Sequence, residues 1–482
     1  MDNRKIQRVS NYDMIKDILK IAIPASLAQL SFGIVDSMNL IFVGFLGDPT
    51  LIAGVGIGTV YLTVFGIITL CGLNTILSTL VSQSYGQGNL KLCGTYLNRG
   101  RIVITLAFIP VAIIMLNAKY FFEITGVQRK TSEQAQLYIW YMLPGLFLTV
   151  QFDLLRVFVN SFGKTYISMY VQIIACCLHY LWSYLFINHF GMKLQGTAYS
   201  NTLTQLTSII LIVIFINFEK DLKAAFFWPD SQSFVGLWNY TKKALPAMFL
   251  WAIEAWTFAA QTLMVSTLSN DMAAAQSILH SILMLAFMII TGNNNAASAL
   301  IGKFIGSNEI PKAKAYLRVL TYFGLFVAFI QWFIIFFFGK YICQIFTDDL
   351  DVQILIQNTT NLLAFAAFFD CTMSCLSGVI RGLGIMKRAL VGIILVFYTL
   401  GIPLQCYLLF KRQMGLFAIW TGMLVSQIII NCYYLYLIHI HTDWNKQAEE
   451  SGQRAMQEKN EADVRDKLAI DKKQQLTNKL VL

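Results

Sequence analysis

The chain has 482 residues, of which 56% are hydrophobic and only 13% are charged. A soluble domain carries about 25% charged residues, and a larger soluble core would still need a wetted surface, so the composition excludes a large soluble globular protein. The net charge of +10 could indicate nucleic-acid binding, but the positions of the basic residues along the chain favour membrane topology instead.

Apolar segments of about 20 residues, the length that crosses a bilayer as a helix, recur along the whole chain. There are twelve, centred near residues 30, 65, 108, 146, 177, 207, 254, 285, 327, 368, 398 and 428. Their Gly, Ser and Thr content is typical of packed membrane helices, and the sequence has no long alternating strands. We predict an all-α polytopic membrane protein with twelve transmembrane helices.

The Lys and Arg residues are distributed unequally between the loops. If the N-terminus lies in the cytoplasm, most of them fall on the cytoplasmic side, including Arg4, Lys5 and Arg8. The outer side receives Lys119, Arg129, Lys130, Lys193, Lys340, Lys411 and Arg412. This is the positive-inside pattern. It predicts that both termini are cytoplasmic. The membrane itself could be the plasma membrane or that of an acidic organelle.

The two halves of the sequence form an internal repeat. Matching residues keep an offset of 220 to 222: Pro24 with Pro246, Gly86 with Gly306, Tyr96 with Tyr316, Gly163 with Gly384, and Ala198 with Ala418. Each half has an even number of segments, so both halves enter the membrane from the same side as parallel repeats. We therefore expect two six-helix lobes around a central cleft.

The repeat and the charge pattern predict five regions of the chain. They are a cytoplasmic N-terminal segment (1–17), a first lobe (18–218), a cytoplasmic linker (219–239), a second lobe (240–440) and a charged cytoplasmic tail (441–482). The tail has few apolar residues and mixes acidic with basic ones, which is typical of a flexible or partly helical segment.

Four acidic residues fall well inside apolar segments: Asp36, Asp153, Glu254 and Asp370. Each costs about 2.5–3.5 kcal/mol at a helix centre on insertion scales, so each needs a partner or a function. Asp153 has Arg156 three residues further on, on the same helix face. We interpret Asp153 and Arg156 as a structural ion pair.

Asp36, Glu254 and Asp370 have no cation within one helical turn. Neutral polar residues share their helix faces instead, as in a site that binds H⁺ or Na⁺ reversibly, and an organic cation would compete for the same charge. We predict that these three acids couple ion and substrate. The residues predicted to line the cavity are Gln29, Asn39, Trp256, Thr257, Gln261, Gln276, His280, Ser374 and Arg381.

Other chemistry has little support in the sequence. The nine cysteines contain no CxxC pair and no zinc spacing with histidine, so we predict no disulfide, metal or cofactor. The stretch "SFGKT" has Phe158 where a phosphate-binding loop needs glycine, and no nucleophile with a base and an acid is visible. An enzyme is therefore not expected.

Four stretches connect the chain with a known family. They are "PASLAQLSFGIVDSMNLIFVGFLGD", "TLVSQSYGQGNLKLCGTYLNR", "AAAQSILHSILMLAFMIITGNNNAASALIGKFIGSNEIPKAK" and "GVIRGLG". In this order, the sequence resembles the multidrug and toxic compound extrusion (MATE) transporters over residues 14–440. The resemblance implies a secondary antiporter that exports organic cations and other amphipathic compounds in exchange for H⁺ or Na⁺.

The resemblance also implies roles for individual acids. Glu254 matches a seventh-helix glutamate, Asp370 a tenth-helix acidic residue, and Asp36 a first-helix aspartate of bacterial members. Animal and plant members commonly carry a second acid five residues after the glutamate, where this chain has Ala259. The acidic set is therefore similar to that of the bacterial branch, and either H⁺ or Na⁺ fits as the coupling ion.

Three alternatives stay open at this point. A lipid-linked saccharide flippase of the same superfamily would need several cationic residues in its cleft, whereas Arg156 and Arg381 are the only candidates in this sequence. An intramembrane enzyme and a receptor or scaffold are more remote. The expected partners are small amphipathic or cationic organic molecules and the lipid bilayer, with no nucleic acid, and the protein is expected to be a monomer.

Overall fold

The structure is a computed structural model that describes residues 10–44 and 49–481. In these residues twelve helices are long and apolar enough to cross a membrane, which confirms the predicted number. They are α1 (Asn11–Gly44), α2 (Thr50–Gly86), α3 (Leu90–Leu116), α4 (Arg129–Ser161), α5 (Thr165–His189), α6 (Lys193–Phe218), α7 (Leu237–Ser266), α8 (Asn270–Gly306), α9 (Ile310–Phe346), α10 (Leu350–Leu383), α11 (Met386–Lys411) and α12 (Leu416–His441).

Shorter elements connect some of these helices. A short helix, Ala118–Ile124, lies between α3 and α4, and the predicted linker 219–239 contains a helix (Lys220–Ala225) and a 3₁₀ turn (Ser231–Phe234). Helix α1 begins at Asn11, before the predicted start of the first lobe at residue 18. Residues 1–9, including Arg4, Lys5 and Arg8, on which the topology prediction partly rests, lie outside the described residues.

Several long helices contain local irregularities. Pro24 in α1 and Pro246 in α7 occupy equivalent positions of the repeat, and each removes one hydrogen bond inside its helix. Wider π-helical turns occur in α2, α5, α11 and α12, at Leu62–Ile67, Tyr184–His189, Ile394–Gly401, Tyr407–Lys411 and Leu437–His441. Turns of this kind interrupt regular packing and are frequent near functional sites.

The twelve helices form two repeat lobes, α1–α6 and α7–α12, as the sequence repeat predicts. The first helix of each lobe packs against the second helix of the other lobe, so that α1 contacts α8 and α7 contacts α2. The two second helices, α2 and α8, also pack against each other. This reciprocal exchange of contacts holds the lobes together around their shared seam.

Glycines at equivalent positions show how closely the two lobes match. Gly163 and Gly384 follow the ends of α4 and α10, and both have a left-handed backbone, with φ of +74° and +78°. Other residues rarely adopt this conformation, so glycine suits both positions. The shared geometry explains why the sequence motifs around these two glycines match.

The seam between α2 and α8 is approximately symmetric. A Cβ atom on Gly86 would lie 2.0 Å from the backbone oxygen of Lys303, and one on Gly306 would lie 1.9 Å from the backbone oxygen of Gln83. Gln83 and Lys303 are themselves separated by the repeat offset, so each glycine packs against the counterpart of the other's contact. Only residues without a side chain allow the two backbones to approach this closely.

Ser78 of α2 and Ser298 of α8 mark the symmetry axis. Their Oγ atoms are 3.2 Å apart and form a hydrogen bond, and the two residues are separated by the repeat offset of 220. Each serine therefore contacts its own counterpart, which is possible only where a two-fold axis passes between them.

The tail forms a long helix, α13 (Trp444–Val481), and the first part of this helix docks on the ends of α2 and α3. Arg99 makes a bidentate ion pair with Glu458, with N–O distances of 2.7 and 2.8 Å. Arg454 donates to the Gln83 side chain at 3.1 Å. The same helix also packs on α8 and α9 of the second lobe. The predicted flexible or partly helical segment is therefore a helix that spans both lobes.

Candidate functional site

A cavity of about 170 Å³ lies between the two lobes. Its polar wall comes from α1, α2 and α4 of the first lobe and from α7, α8, α10 and α12 of the second. The lining residues with polar side chains include Gln29, Thr75, Ser78, Asp153, Arg156, Asn160, Trp251, Glu254, Asn294, Ser298, Ser374, Ser377, Arg381 and Tyr434. Four of them, two acids and two arginines, carry formal charges.

The charged pair of the first lobe is fully partnered. The Nη2 atom of Arg156 donates to Oδ1 of Asp153 at 2.5 Å, and Asn74 donates to Oδ2 of the same carboxylate at 2.8 Å. The Nη1 atom of Arg156 also reaches Oε1 of Gln29 at 3.4 Å. Both carboxylate oxygens are therefore occupied, and the spacing of three residues on α4 brings the pair together as the sequence predicts.

The equivalent positions of α10 carry different side chains. At an offset of 221, Ser374 replaces Asp153, Ser377 replaces Arg156 and Arg381 replaces Asn160, and all six residues line the cavity. Asn294, the counterpart of Asn74, donates to the backbone oxygen of Ser374 at 2.7 Å. The two lobes therefore keep the same asparagine bridge between helices and differ in where the charges stand.

Arg381 is held in place through its backbone rather than its side chain. Its carbonyl oxygen accepts a hydrogen bond from Thr79 of α2 at 2.6 Å. Its guanidinium makes no hydrogen bond or ion pair to any of the described residues, and its Nε atom is buried without a partner. The second lobe therefore presents to the cavity an arginine that no described acid neutralises.

Two acids of the second lobe come together at the cavity wall. Glu254 of α7 lines the cavity, is partly buried, and forms no hydrogen bond or ion pair with another described residue. Asp370 of α10 lies behind it, only 4% exposed, and accepts a hydrogen bond from Gln427 at 3.0 Å. The two carboxyl groups interact electrostatically, and the Tyr434 hydroxyl group lies in the field of Glu254.

Asp36 lies apart from this pair. It does not line the central cavity, and it forms no hydrogen bond or ion pair with another described residue. Its side chain is exposed. The hydroxyl of Tyr138, which accepts a hydrogen bond from Thr59 at 3.4 Å, is close enough to feel its charge. The structure therefore keeps Asp36 separate from Glu254 and Asp370.

Of the residues predicted to line the cavity, Gln29, Ser374 and Arg381 do so. The other six lie elsewhere. Asn39 accepts a hydrogen bond from His179 at 3.1 Å, and Gln276 accepts one from Trp420. Gln261 contacts Met423, His280 packs against Phe258, Trp256 stacks edge-on with Phe249, and Thr257 is buried against its own helix.

The direction of side chains along α7 explains part of this difference. Side chains of a helix lean toward its N-terminus, and the residues that share the cavity with Glu254 are Ala247, Leu250 and Trp251. Thr257 and Gln261 share the helix face of Glu254 but lie on the C-terminal side of it, where the face is covered by other helices. Residue spacing along α7 identifies the helix face that carries Glu254, but it does not show which part of that face borders the cavity.

Sequence reasoning missed the contribution of α12. Gln427 binds Asp370, Asn431 donates to the backbone oxygen of Phe369 at 2.9 Å, and Tyr434 lines the cavity beside Glu254. These three residues are spaced by four and three positions, which places them on one helix face. Such a polar stripe in the apolar run "SQIIINCYY" was the available signal.

His179 was missed in the first lobe. It is fully buried, and its ring nitrogens contact the Thr204 hydroxyl at 2.9 Å and Asn39 at 3.1 Å. The residues that surround it make a neutral polar network between α1, α5 and α6. Among the described residues, no group of three or more His, Cys, Asp or Glu side chains is arranged to hold a metal ion.

Two parallel repeat lobes with charged side chains facing a cavity between them define the architecture of a membrane transporter. The sequence model of the MatE family matches residues 23–185 and 246–407, one stretch in each lobe. The chain belongs to the MatE family, and it is an integral multi-pass membrane protein. This confirms the family to which the sequence motifs pointed.

Individual relatives agree with this assignment. Multidrug and toxin extrusion protein 1 of Xenopus tropicalis is 26% identical over 441 residues, which cover 91% of this chain and 76% of the relative. The crystal structure of the eukaryotic MATE transporter AtDTX14 matches with a TM-score of 0.85 at 20% identity, covering 92% of this chain and 99% of that one.

A bacterial structure is also similar. The Vibrio cholerae MATE transporter VcmN in its bent form has a TM-score of 0.79 at 14% identity, covering 92% of this chain and 99% of that chain. At such identities the two solved structures support the fold and the two-lobe arrangement alone.

Proposed function

We propose that this protein exports small organic cations and other amphipathic compounds in exchange for H⁺ or Na⁺. The observation that carries the proposal is Glu254, a carboxyl group on the cavity wall with no hydrogen bond or ion pair among the described residues. The protein belongs to a family of transporters, and its relatives are named for multidrug and toxin extrusion. Both findings support the same substrate class.

The exchange follows from the charges at the second-lobe site. An ionised Glu254 and an ionised Asp370 would repel each other, and the low dielectric of the membrane interior strengthens that repulsion. Binding of H⁺, Na⁺ or an organic cation relieves it. Because one charge site serves both the coupling ion and the substrate, binding of one displaces the other, and this competition is the basis of antiport.

The size of the cavity supports movement of the lobes. Sites for drug-sized ligands usually have volumes of about 300–1,000 Å³, whereas this cavity has about 170 Å³. A larger substrate therefore requires the lobes to separate. Rocking of one repeat against the other around a fixed midplane site is the usual form of alternating access, and the seam between α2 and α8 would open and close in this cycle.

The remaining features of the proposal concern the setting of the protein. Both termini lie in the cytoplasm, and the protein acts as a monomer in the plasma membrane or in an acidic organelle. Asp36 serves as a separate ion-binding group of the first lobe. The Asp153–Arg156 pair has a structural role.

Export of rhodamine 6G, a fluorescent organic cation, from proteoliposomes tests the proposal. A pH gradient and a Na⁺ gradient are applied in separate experiments to wild type, Glu254→Gln, Asp370→Asn and Asp36→Asn. We expect one gradient to drive export and Glu254→Gln to abolish the driven part. The matched control is Glu123→Gln, which neutralises an exposed acid outside the spanning helices. Export that persists after both gradients collapse contradicts antiport.

A lipid-linked saccharide flippase is the second candidate, and the unpartnered Arg381 is the observation that favours it. A phosphate headgroup needs cationic side chains, and Arg381 is available to one. The other cavity arginine, Arg156, is already bound to Asp153. Flipping of a fluorescent lipid-linked saccharide in the same vesicles, without gradient-driven export of rhodamine 6G, would favour the flippase.

A further inference from the structure

The cavity contains a second charge feature that cation export does not use. Arg381 faces the cavity, and its guanidinium has no hydrogen bond or ion pair to any described residue. An unpaired charge in a membrane interior is costly. Its position on the wall of the cavity, rather than within packed helices, indicates that a ligand is its natural partner.

No described acid forms an ion pair with the Arg381 guanidinium, although Asp153 and Glu254 line the same cavity. The second cavity arginine, Arg156, lies close enough to repel it. Asp153 cannot compensate both, because it carries one negative charge and already pairs with Arg156, with Asn74 on its other oxygen. At the position where the first lobe has Asp153, α10 has Ser374, so the repeat itself supplies no counter-ion.

We propose that Arg381 forms a subsite for the carboxylate group of a zwitterionic amphipathic substrate. This inference rests on the proposed function, because it assigns the cationic group of the same substrate to Glu254. A guanidinium binds a carboxylate through two parallel hydrogen bonds, and such a group would also reduce the repulsion between the two arginines. Asn160 and Ser377 line the same cavity and offer further polar contacts.

The expected selectivity follows from the strength of a charge-assisted hydrogen bond. Hydrogen bonds to charged groups contribute about 1.5–3 kcal/mol, which corresponds to roughly 10- to 100-fold in affinity. A carboxylate should therefore bind at least about 10-fold more tightly than its ester, which carries no charge at the same position. Removal of the guanidinium should abolish that difference and leave binding of the ester unchanged.

Two rhodamine dyes provide a matched pair of probes. Rhodamine 6G is an ethyl ester, and rhodamine 19 is the same cationic dye with a free carboxylic acid, which is zwitterionic at neutral pH. Binding of each dye to the purified full-length protein in detergent is measured by fluorescence anisotropy. We expect wild type to prefer rhodamine 19 and Arg381→Gln to lose the preference. Lys387→Gln, which removes an exposed cation just beyond α10, is the control and should behave as wild type.

A second variant keeps the guanidinium and neutralises it instead. Ser377→Asp places an acid one helical turn before Arg381 and so gives it a neighbouring counter-ion, as Asp153 does for Arg156. We expect it to lose the preference for rhodamine 19 as Arg381→Gln does, while Arg381→Lys retains part of it. A preference that is equal in wild type, Arg381→Gln and Ser377→Asp would overturn the subsite, as would a wild type that binds the ester as tightly as the acid.

The binding and transport experiments separate the two proposals. If gradients drive export of rhodamine 6G but binding shows no preference that depends on Arg381, the subsite is wrong and the antiporter stands. If the preference depends on Arg381 but neither gradient drives export of either dye, the subsite stands and the antiporter is wrong.

Discussion

The cavity walls formed by α4 and α10 occupy equivalent places in the two lobes and differ in how their charges are arranged. In α4 the acid and the arginine are three residues apart and neutralise each other at 2.5 Å. In α10 both of those positions are serines, and a single arginine stands one turn further along, without a described partner. The charges on the α4 wall neutralise each other, whereas the arginine on the α10 wall is available to a ligand.

The contrast shows which parts of a repeat are free to differ. Where helices pack closely, as at Gly86 and Gly306, the neighbouring backbone leaves no room for a side chain, so both lobes have the same residue. Side chains that face the cavity meet no such restriction. Glu254 has Phe32 as its counterpart and Asp36 has Phe258, so the acids also differ between lobes that share one backbone frame.

The largest expected effect concerns the acids. We expect Glu254→Gln to reduce gradient-driven export by more than about 10-fold, because it removes the charge for which ion and substrate compete. A 10-fold loss corresponds to about the energy of one charge-assisted hydrogen bond. Asp36→Asn should reduce it less, because Asp36 lies outside the central cavity. Initial rates of rhodamine 6G export give both values. A larger loss in Asp36→Asn would move the principal site to the first lobe.

The next effect concerns stability. Asp153→Asn leaves Arg156 without its counter-ion, and breaking a buried ion pair costs about 3–5 kcal/mol. The corresponding change in the second lobe, Ser374→Ala, removes only a neutral hydroxyl group and should cost about 1 kcal/mol. Unfolding monitored by intrinsic fluorescence compares them. The double variant Asp153→Ser with Arg156→Ser copies α10 and should be more stable than Asp153→Asn. If it is not, the ion pair stabilises the protein by more than neutralising its two charges.

The symmetric seam predicts two equal effects. Gly86→Ala and Gly306→Ala each place a methyl group against the backbone of the opposite lobe, and overpacking costs about 1–3 kcal/mol. Because the contacts are reciprocal, we expect the two losses in the free energy of unfolding to agree. Gly56→Ala, at a helical glycine with open space around it, is the control. Clearly unequal losses would show that the seam is not symmetric in energy.

The smallest effect is a pH dependence that only the first lobe should have. The Tyr166 hydroxyl donates to Glu219, and Lys164 lies 3.0 Å from the same carboxylate; these contacts hold the pKa of Glu219 below its usual value. A lowered folded-state pKa stabilises the protein above the unfolded pKa of about 4.3. That stabilisation is lost as the pH falls through the folded pKa. The second lobe has Ile385 in place of Lys164.

Unfolding as a function of pH tests this. At neutral pH, Glu219→Gln should be less stable than wild type by less than about 1 kcal/mol, because the pair is partly exposed. The difference should vanish in acid, where wild type is protonated as well. A difference that stays constant from neutral pH into acid would mean that the contact stabilises by packing rather than by charge.

The sequence predicted the features that depend on local spacing. The number of spanning helices follows from segment length, the two lobes from the repeat, and the contact of Asp153 with Arg156 from their separation by three residues. The features it did not predict depend on distant parts of the chain. Tyr434 and Gln427 reach the acids of α7 and α10 only because α12 packs beside them, which no local pattern records.

The tail shows how little composition says about docking. A mixture of acidic and basic residues with few apolar ones is usually a solvated segment. Here Glu458 finds Arg99, 359 positions away in the sequence, and Trp444 is buried at the start of the helix. An ion pair that connects such distant positions depends on the finished fold, so composition alone underestimates order in this segment.

The docking of α13 has a consequence for regulation. This helix contacts Gln83 and Arg99 of one lobe and also α8 and α9 of the other, on the face where α2 and α8 meet. Contacts that exist in only one conformation shift the equilibrium toward it. If transport requires this face to part, the tail has to release one lobe each time. Any molecule that captures the released tail would then act as an allosteric effector on a cavity it never touches.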